Sequence, residues 1–286
     1  MAVQTRTPIY AVVKADAYGL GAAKVAGAIA DLVEGWAVFS LAEAIEAKLW
    51  ELTGKPAIAL GPPEDLDPGP WKANHVRPAV SSVEQAEALR SADPIVCVDT
   101  GMQRFACPAD QLEAVISAGG CREAFTHATN LEHVRRLKEL AGNRGLRLHA
   151  AATALLHEPQ AWLDAVRPGL AMYRYAVRVS APLIEARESR GPVGYSGFRA
   201  NRHGVILCGY SNGLRKGPCL VNGQKRRVME VGMQSAYVEL GEGDRAGDEV
   251  VLLGDNLDAA EVAASWGCTG HEVLLRLVGA GEREYF

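Results

Sequence analysis

The decapeptide Ala11-Val12-Val13-Lys14-Ala15-Asp16-Ala17-Tyr18-Gly19-Leu20 decides how this chain is read. Its first residues belong to an apolar, β-branched run of the kind that forms a strand buried on both faces. The run ends on a lysine and breaks at once into small residues and a glycine, the composition of a turn. A lysine at the mouth of a buried strand stands where burial disfavours its charged form. Its amine is then available as a nucleophile toward carbonyl groups, the basis of Schiff-base chemistry.

Working outward, eight short apolar runs follow one another at residues 9–13, 36–39, 57–60, 76–80, 95–98, 124–126, 146–149 and 165–166. Amphipathic segments lie between most of them. Leu41, Ile45, Leu49 and Leu52 share a helical face, and Ser40 with Glu43 forms a capping box at its start. Ser82 and Gln85 repeat the box ahead of Ala86 and Leu89, and Asn130 caps a helix carrying Leu131, Val134, Leu137 and Leu140. Successive βα units predict an α/β fold, a closed (β/α)8 barrel of the TIM type. The units at residues 62–71 and after Ala154 are thin, and a doubly wound open sheet is the alternative. Beyond about Val177 the texture changes to short apolar runs (residues 205–208, 236–240 and 249–253) punctuated by Gly-Pro and Asn-Gly turns. This predicts a barrel over residues 1–176 and a smaller β-rich C-terminal domain over 177–286, closed by helices near 259–265 and 272–277.

The 286 residues are 48% hydrophobic, ample for a sizeable core. A net charge of −4 gives no basis for a nucleic-acid partner, and Lys225-Arg226-Arg227 after Asn222-Gly223 reads as an exposed turn. The six cysteines, Cys97, Cys107, Cys121, Cys208, Cys219 and Cys268, fall in no metal-ligand spacing and read as small core fillers. Residues 1–6 lack the apolar core of a signal peptide, and no run has the length of a membrane span. A cytoplasmic setting without a membrane partner is expected.

In such a barrel the chemistry sits at the C-terminal ends of the strands. Lys14 ends the first. Arg104 follows the fifth within Val98-Asp99-Thr100-Gly101-Met102-Gln103-Arg104, and His127 follows the sixth within Phe125-Thr126-His127-Ala128-Thr129. Thr153 follows the seventh, and Arg167 ends the eighth within Val166-Arg167-Pro168-Gly169-Leu170-Ala171-Met172-Tyr173. Each alone reads as an ordinary loop, cap or turn residue. Their joint placement at one face points to a site.

These segments, with Gly209-Tyr210-Ser211-Asn212-Gly213 and Glu230-Val231-Gly232-Met233-Gln234 further on, occur in the order found in alanine racemases. The chain resembles a shortened member of that family of fold-type III pyridoxal 5'-phosphate enzymes. The resemblance implies interconversion of L- and D-alanine by two bases, serving D-alanine biosynthesis. Lys14 would carry the cofactor and act as one base. Tyr210 would be the other, entering from the partner of a head-to-tail homodimer. Tyr18, Thr153, Gly169 and Leu170 would hold the phosphate. Arg167 would face the pyridine nitrogen, His127 would back the cofactor and Tyr210, and Arg104 would contact the phenolic oxygen. Arg104 and Met233 would meet the substrate. The chemistry suits these types: lysine and tyrosine both have reference pKa values near 10 and must be tuned to serve as bases. Cys97 replaces a lysine often found in the family, Gln234 replaces an aspartate, and Val278-Gly279-Ala280-Gly281 stands where a phosphate-binding tyrosine is usual. A racemase of another amino acid, a pyridoxal-phosphate-binding homologue with weak or no racemase activity, a cofactor carrier, and a decarboxylase or aldolase of the same fold type are the alternatives.

Overall fold

The computed structural model describes residues 7–279 and 281–286, in two compact units. Residues 1–6, read above for a leader, and Ala280 lie outside the described residues. The first unit comprises the described residues up to Ala17 with Gly21–Ala171, and the second comprises Tyr18–Leu20 with Met172–Phe286.

Eight parallel strands form the first unit in chain order: β1 (Tyr10–Val12), β2 (Gly35–Val38), β3 (Ala57–Ala59), β4 (Val76–Val80), β5 (Ile95–Cys97), β6 (Glu123–Phe125), β7 (Arg147–Ala152) and β8 (Ala165–Arg167). The sheet closes on itself through a parallel bridge between Ile9 and Val166. Val12 N–H donates to Pro168 O at 2.9 Å and Val166 N–H to Pro8 O at 2.9 Å beside that seam. Closure removes the open-sheet alternative, because a doubly wound sheet keeps two unpaired edges.

Helix starts follow the sequence. Ser40 Oγ accepts from Glu43 N–H at 3.3 Å, Ser82 Oγ from Gln85 N–H at 3.3 Å and Asn130 Oδ1 from His133 N–H at 3.1 Å. The expected face of Leu41, Ile45, Leu49 and Leu52 is corrected. Lys48 adopts a left-handed φ of 50° and splits that segment into helices Leu41–Glu46 and Leu49–Thr53. Ala44, Ala47 and Leu49 are buried, whereas Ile45 and Leu52 face solvent. Small alanines let the first helix lie close to the sheet, and the break turns Leu52 outward. The thin unit before β4 holds a single-turn-and-a-half helix, Pro68–Ala73, capped by Asp67. After β7 the connection is made by 3-10 turns at Thr153–Leu155 and Pro159–Ala161.

The second unit contains a closed antiparallel barrel in the order β10-β13-β12-β11-β14-β9. Its strands are β9 (Val179–Glu188), β10 (Arg202–Ile206), β11 (Gly217–Val221), β12 (Gln224–Val231), β13 (Ala236–Glu239) and β14 (Glu249–Leu253). Leu183, Ile206, Cys219, Val221, Val238 and Val250 fill its core. Asn222 and Gly223, both at positive φ, make the hairpin turn between β11 and β12. Lys225-Arg226-Arg227 is therefore corrected from turn to strand. Arg226 pairs with Asp244 at 2.8 Å and Lys225 with Glu261 at 2.7 Å, so two of the three charges are committed to ion pairs. Helices Ala259–Trp266 and Gly270–Val278 follow β14.

Cys97, Cys107, Cys121 and Cys219 are buried, but Cys208 and Cys268 are only half-buried, which corrects the reading of all six as core. No described helix is long and apolar enough to cross a membrane.

Candidate active site

Lys14 lies two residues past the end of β1 and is half-buried. Burial lowers its amine pKa from the ordinary lysine value, the nearby Arg104 charge lowers it further, and Glu43 opposes both. Among the described residues its Nζ enters no hydrogen bond or ion pair. The chain then runs left-handed for four residues: Ala15, Asp16, Ala17 and Tyr18 have φ of 52°, 53°, 53° and 59°. Such a conformation costs roughly 1–2 kcal/mol per non-glycine residue and persists only where its surroundings over-determine it. Ala17 N–H donates to Val13 O at 2.8 Å, Gly21 N–H to Asp16 O at 2.9 Å, and Ala22 N–H to Asp16 Oδ1 at 2.7 Å. Ala15 N–H donates to Glu43 Oε1 at 2.9 Å. The turn expected from small residues is thus present, with a handedness those residues do not favour.

A column of charged side chains stands inside the barrel, where layers of branched apolar residues are usual. Arg167 is 2% exposed at the end of β8. Its Nη2 donates to Thr126 O at 2.7 Å, and its Nη1 donates to His149 O at 3.0 Å and to His149 Nδ1. The guanidinium lies over the Phe125 ring, 5.0 Å from its centroid. Burial pulls its pKa down to about 10, so it remains charged. Arginine can only donate, so His149 Nδ1 must be a lone pair and Nε2 carries the proton. That Nε2 lies 3.0 Å from Glu123 Oε1, off the straight N–H···O line. Glu123 Oε2 accepts from Arg77 Nη1 at 2.5 Å, and Arg77 continues to Asp93 at 2.9 Å. Below them Arg147 bonds Glu34 at 2.5 Å and Tyr10 Oη at 3.2 Å. Of this column the sequence singles out only Arg167. Its signal was there: Glu123 and Phe125, and Arg147 and His149, are two apart and so share the inward face of a strand.

This column makes the fold acid-sensitive. Burial, reinforced by Arg167, pushes the His149 pKa down to about 4. Burial would raise that of Glu123, but the adjacent His149 ring and the Arg77 ion pair outweigh it and hold the carboxyl at about 2. From pH 6.5 to 4 the unfolded chain binds a proton at His149 that the folded chain refuses. From pH 4.5 to 2 the same holds at Glu123. Stability is therefore expected to fall continuously from neutrality, by at most about 1.4 kcal/mol per pH unit for each group. Urea midpoints at pH 7.5, 5.5 and 4.5 check this, and a midpoint that holds or rises on acidification contradicts it.

Around the same barrel end stand the other expected residues of this unit. Arg104, in the loop after β5, is exposed and makes no ion pair among the described residues. The neighbouring Phe105 meets Phe39 edge-on at 6.4 Å. His127, two residues past β6, is exposed. Thr153 Oγ1 accepts from Gly169 N–H and Ala171 N–H, each at 3.2 Å, so these backbone donors converge on one point beside Leu170. Cys97 is buried at the end of β5, and burial pushes its thiol up to about 12, against the pull of Arg167 and Arg104. A neutral thiol thus occupies the position, and it brings no negative charge to Arg104.

The remaining expected residues belong to the second unit. Tyr18 is buried there against Tyr173 at 5.1 Å and His271 at 5.6 Å between ring centroids, and burial raises its pKa to about 12. Tyr210 opens a 3-10 turn, Tyr210–Asn212, and is 58% exposed. Its N–H donates to Gly232 O at 2.9 Å, and Ser211 N–H donates to Met233 O at 3.0 Å. A Cβ on Gly209 would overlap the Met233 carbonyl, so glycine permits this approach. Tyr210 and the exposed Met233 are thereby held side by side, with Gln234 next in the loop.

A closed (β/α)8 barrel with a desolvated lysine after its first strand, followed by a separate β-barrel, has the architecture of the fold-type III pyridoxal enzymes. Within that class the comparisons are specific. Residues 1–133 match the model of the alanine racemase N-terminal domain, and residues 177–285 match that of the alanine racemase C-terminal domain. The chain is 32% identical to the alanine racemase of Aeromonas hydrophila, over 97% of this chain and 92% of the relative. It is 30% identical to the biosynthetic alanine racemase of Escherichia coli, over 96% and 91%. It also superimposes on the biosynthetic alanine racemase of Pseudomonas aeruginosa with a TM-score of 0.88 at 26% identity, covering 99% and 94% of the two chains. The chain belongs to the alanine racemase family.

Proposed function

We propose that the protein interconverts L- and D-alanine with pyridoxal 5'-phosphate, using Lys14 and Tyr210 as bases on opposite faces of the substrate. One observation carries the reading: a lysine whose charge is disfavoured stands beside Arg104, at the barrel end where Arg167 is buried. The Arg104 and Arg167 charges suit an anionic ligand, and the backbone N–H groups gathered at Thr153 suit its phosphate. When bound, pyridoxal phosphate supplies an electron-withdrawing ring that acidifies the α-proton of a linked amino acid.

Lys14, made easier to deprotonate by burial and Arg104, removes or returns that proton on one face. Tyr210, held out from its turn, serves the other face and reaches it from a second copy of the chain in a head-to-tail homodimer. Met233 lends its backbone to the substrate carboxylate, and Arg104 contacts both substrate and cofactor. His127 backs the cofactor and Tyr210, and Tyr18 adds its hydroxyl to the phosphate donors. Gly169 and Leu170 add backbone N–H groups. Arg167, held by both Nη atoms on the barrel wall, would face the ring nitrogen of the cofactor. On this reading the protein serves D-alanine biosynthesis, and we place it in the cytoplasm. A weaker racemase is the second reading, favoured by Cys97, which leaves Arg104 without a negative partner.

The test is α-proton exchange in deuterated water with L- and D-alanine beside a panel of other amino acids. Exchange into both enantiomers of alanine is expected, and cofactor-loaded protein that exchanges none of the panel rejects the reading. Tyr210→Phe, lacking the hydroxyl, is expected to lower racemisation about 100-fold while leaving the borohydride-reducible absorption band intact. An unchanged rate in that variant removes Tyr210 as a base.

A further inference from the structure

We propose that Glu43 is a positioning residue for Lys14: its carboxylate ties the peptide after the lysine to the end of the neighbouring strand. This rests on the reading of Lys14 given above.

The Ser-x-x-Glu pattern at Ser40 marks a helix start, and a capping box would send the Glu43 carboxylate back to the Ser40 N–H. It goes elsewhere. Oε2 accepts from Phe39 N–H at 2.7 Å, just past β2. Oε1 accepts from Ala15 N–H at 2.9 Å, in the first peptide of the left-handed turn. One side chain therefore joins the ends of β1 and β2 where Lys14 leaves the sheet.

The same pattern two strands on gives an internal comparison. At Ser82, Gln85 also reaches back one residue further than a capping box requires, with Oε1 accepting from Ser81 N–H at 2.9 Å. An amide has one acceptor oxygen, and its bonds stay at that helix start. A carboxylate has two, and at Glu43 the second is spent on the lysine loop.

Four consecutive left-handed residues would relax without outside bonds, and among the described residues Ala15 N–H has its bond only through Glu43. The carboxylate also acts on the amine by charge. Two charged groups bias Lys14: Arg104 from the loop after β5 disfavours protonation, and Glu43 from the helix after β2 favours it.

The experiment measures the pH dependence of Lys14 labelling by trinitrobenzenesulfonate, read by mass spectrometry on the full-length chain without added cofactor. In Glu43→Gln, nearly identical in shape, the labelling midpoint is expected to move to lower pH. In Glu43→Ala it should move likewise, and turnover with pyridoxal phosphate should fall about ten- to a hundredfold, mostly in kcat. Glu43→Gln keeps one acceptor and should lie between Glu43→Ala and the wild type. A midpoint unmoved in both variants, or turnover unchanged in Glu43→Ala, leaves Glu43 only a link between the ends of β1 and β2 and overturns the proposal. If the wild-type chain neither racemises alanine nor fixes cofactor with borohydride, the functional reading fails, while the labelling midpoints still decide the role of Glu43.

Discussion

Lys14→Ala is expected to lower racemisation by at least about 10⁴-fold and to abolish the absorption band that borohydride bleaches. Two losses combine in this variant. The amine that links to the cofactor carbonyl is gone, and so is the base for one face of the substrate. General acid–base catalysis alone contributes about 10²–10⁴-fold. Lys14→Arg should fail in the same way, because a guanidinium keeps its charge and offers no lone pair near neutral pH. Activity should not be restored by raising the pH in either variant. The check is a steady-state assay with L-alanine paired with mass spectrometry after borohydride reduction. Adduct on another lysine of the Lys14→Ala chain, with turnover retained, would falsify the assignment.

Arg167→Met is expected to destabilise the protein by about 3–5 kcal/mol. Total stabilities are about 5–15 kcal/mol, so this is a large share. Methionine fills much of the volume, so the cost is chiefly polar. Thr126 O and His149 O lose a buried donor, and His149 Nδ1 loses the donor that fixes its tautomer. Arg167→Lys keeps the charge, but a single ammonium cannot span carbonyls on two strand segments, and an intermediate loss is expected. Urea unfolding at pH 7.5 measures both. A change below about 1 kcal/mol in Arg167→Met would mean that the barrel wall does not depend on this arginine.

The strands of the barrel were legible because parallel strands buried on both faces leave near-continuous apolar runs. Residues 76–80 coincide with β4. β9, β11 and β12 were not read. They belong to a barrel with one solvated face, so Val179, Ala181 and Leu183 alternate with polar or exposed residues. Arg226 and Lys225 looked like a turn because their partners, Asp244 and Glu261, are distant in sequence. Of the site, Lys14, Arg104, His127, Thr153 and Arg167 were picked out by their place after apolar runs, and the structure puts them at the C-terminal ends of barrel strands. His149, Glu123 and Arg77 were passed over, since an isolated charged residue beside an apolar run reads as a strand boundary.

By itself the sequence determined the order and spacing of the eight parallel strands, the helix caps at Ser40, Ser82 and Asn130, and the lysine that follows the first strand. These are local properties, set by side-chain periodicity and by bonds three residues long. Tertiary structure decided the rest. It closed the sheet at Ile9 and Val166, and it stacked Arg167, His149, Glu123 and Arg77 from four strands into one buried column. It also wound Ala15 through Tyr18 left-handed. No residue in that turn favours its conformation. The bonds that hold it come in part from Glu43, 28 residues away, and they exist only once the first two strands lie side by side.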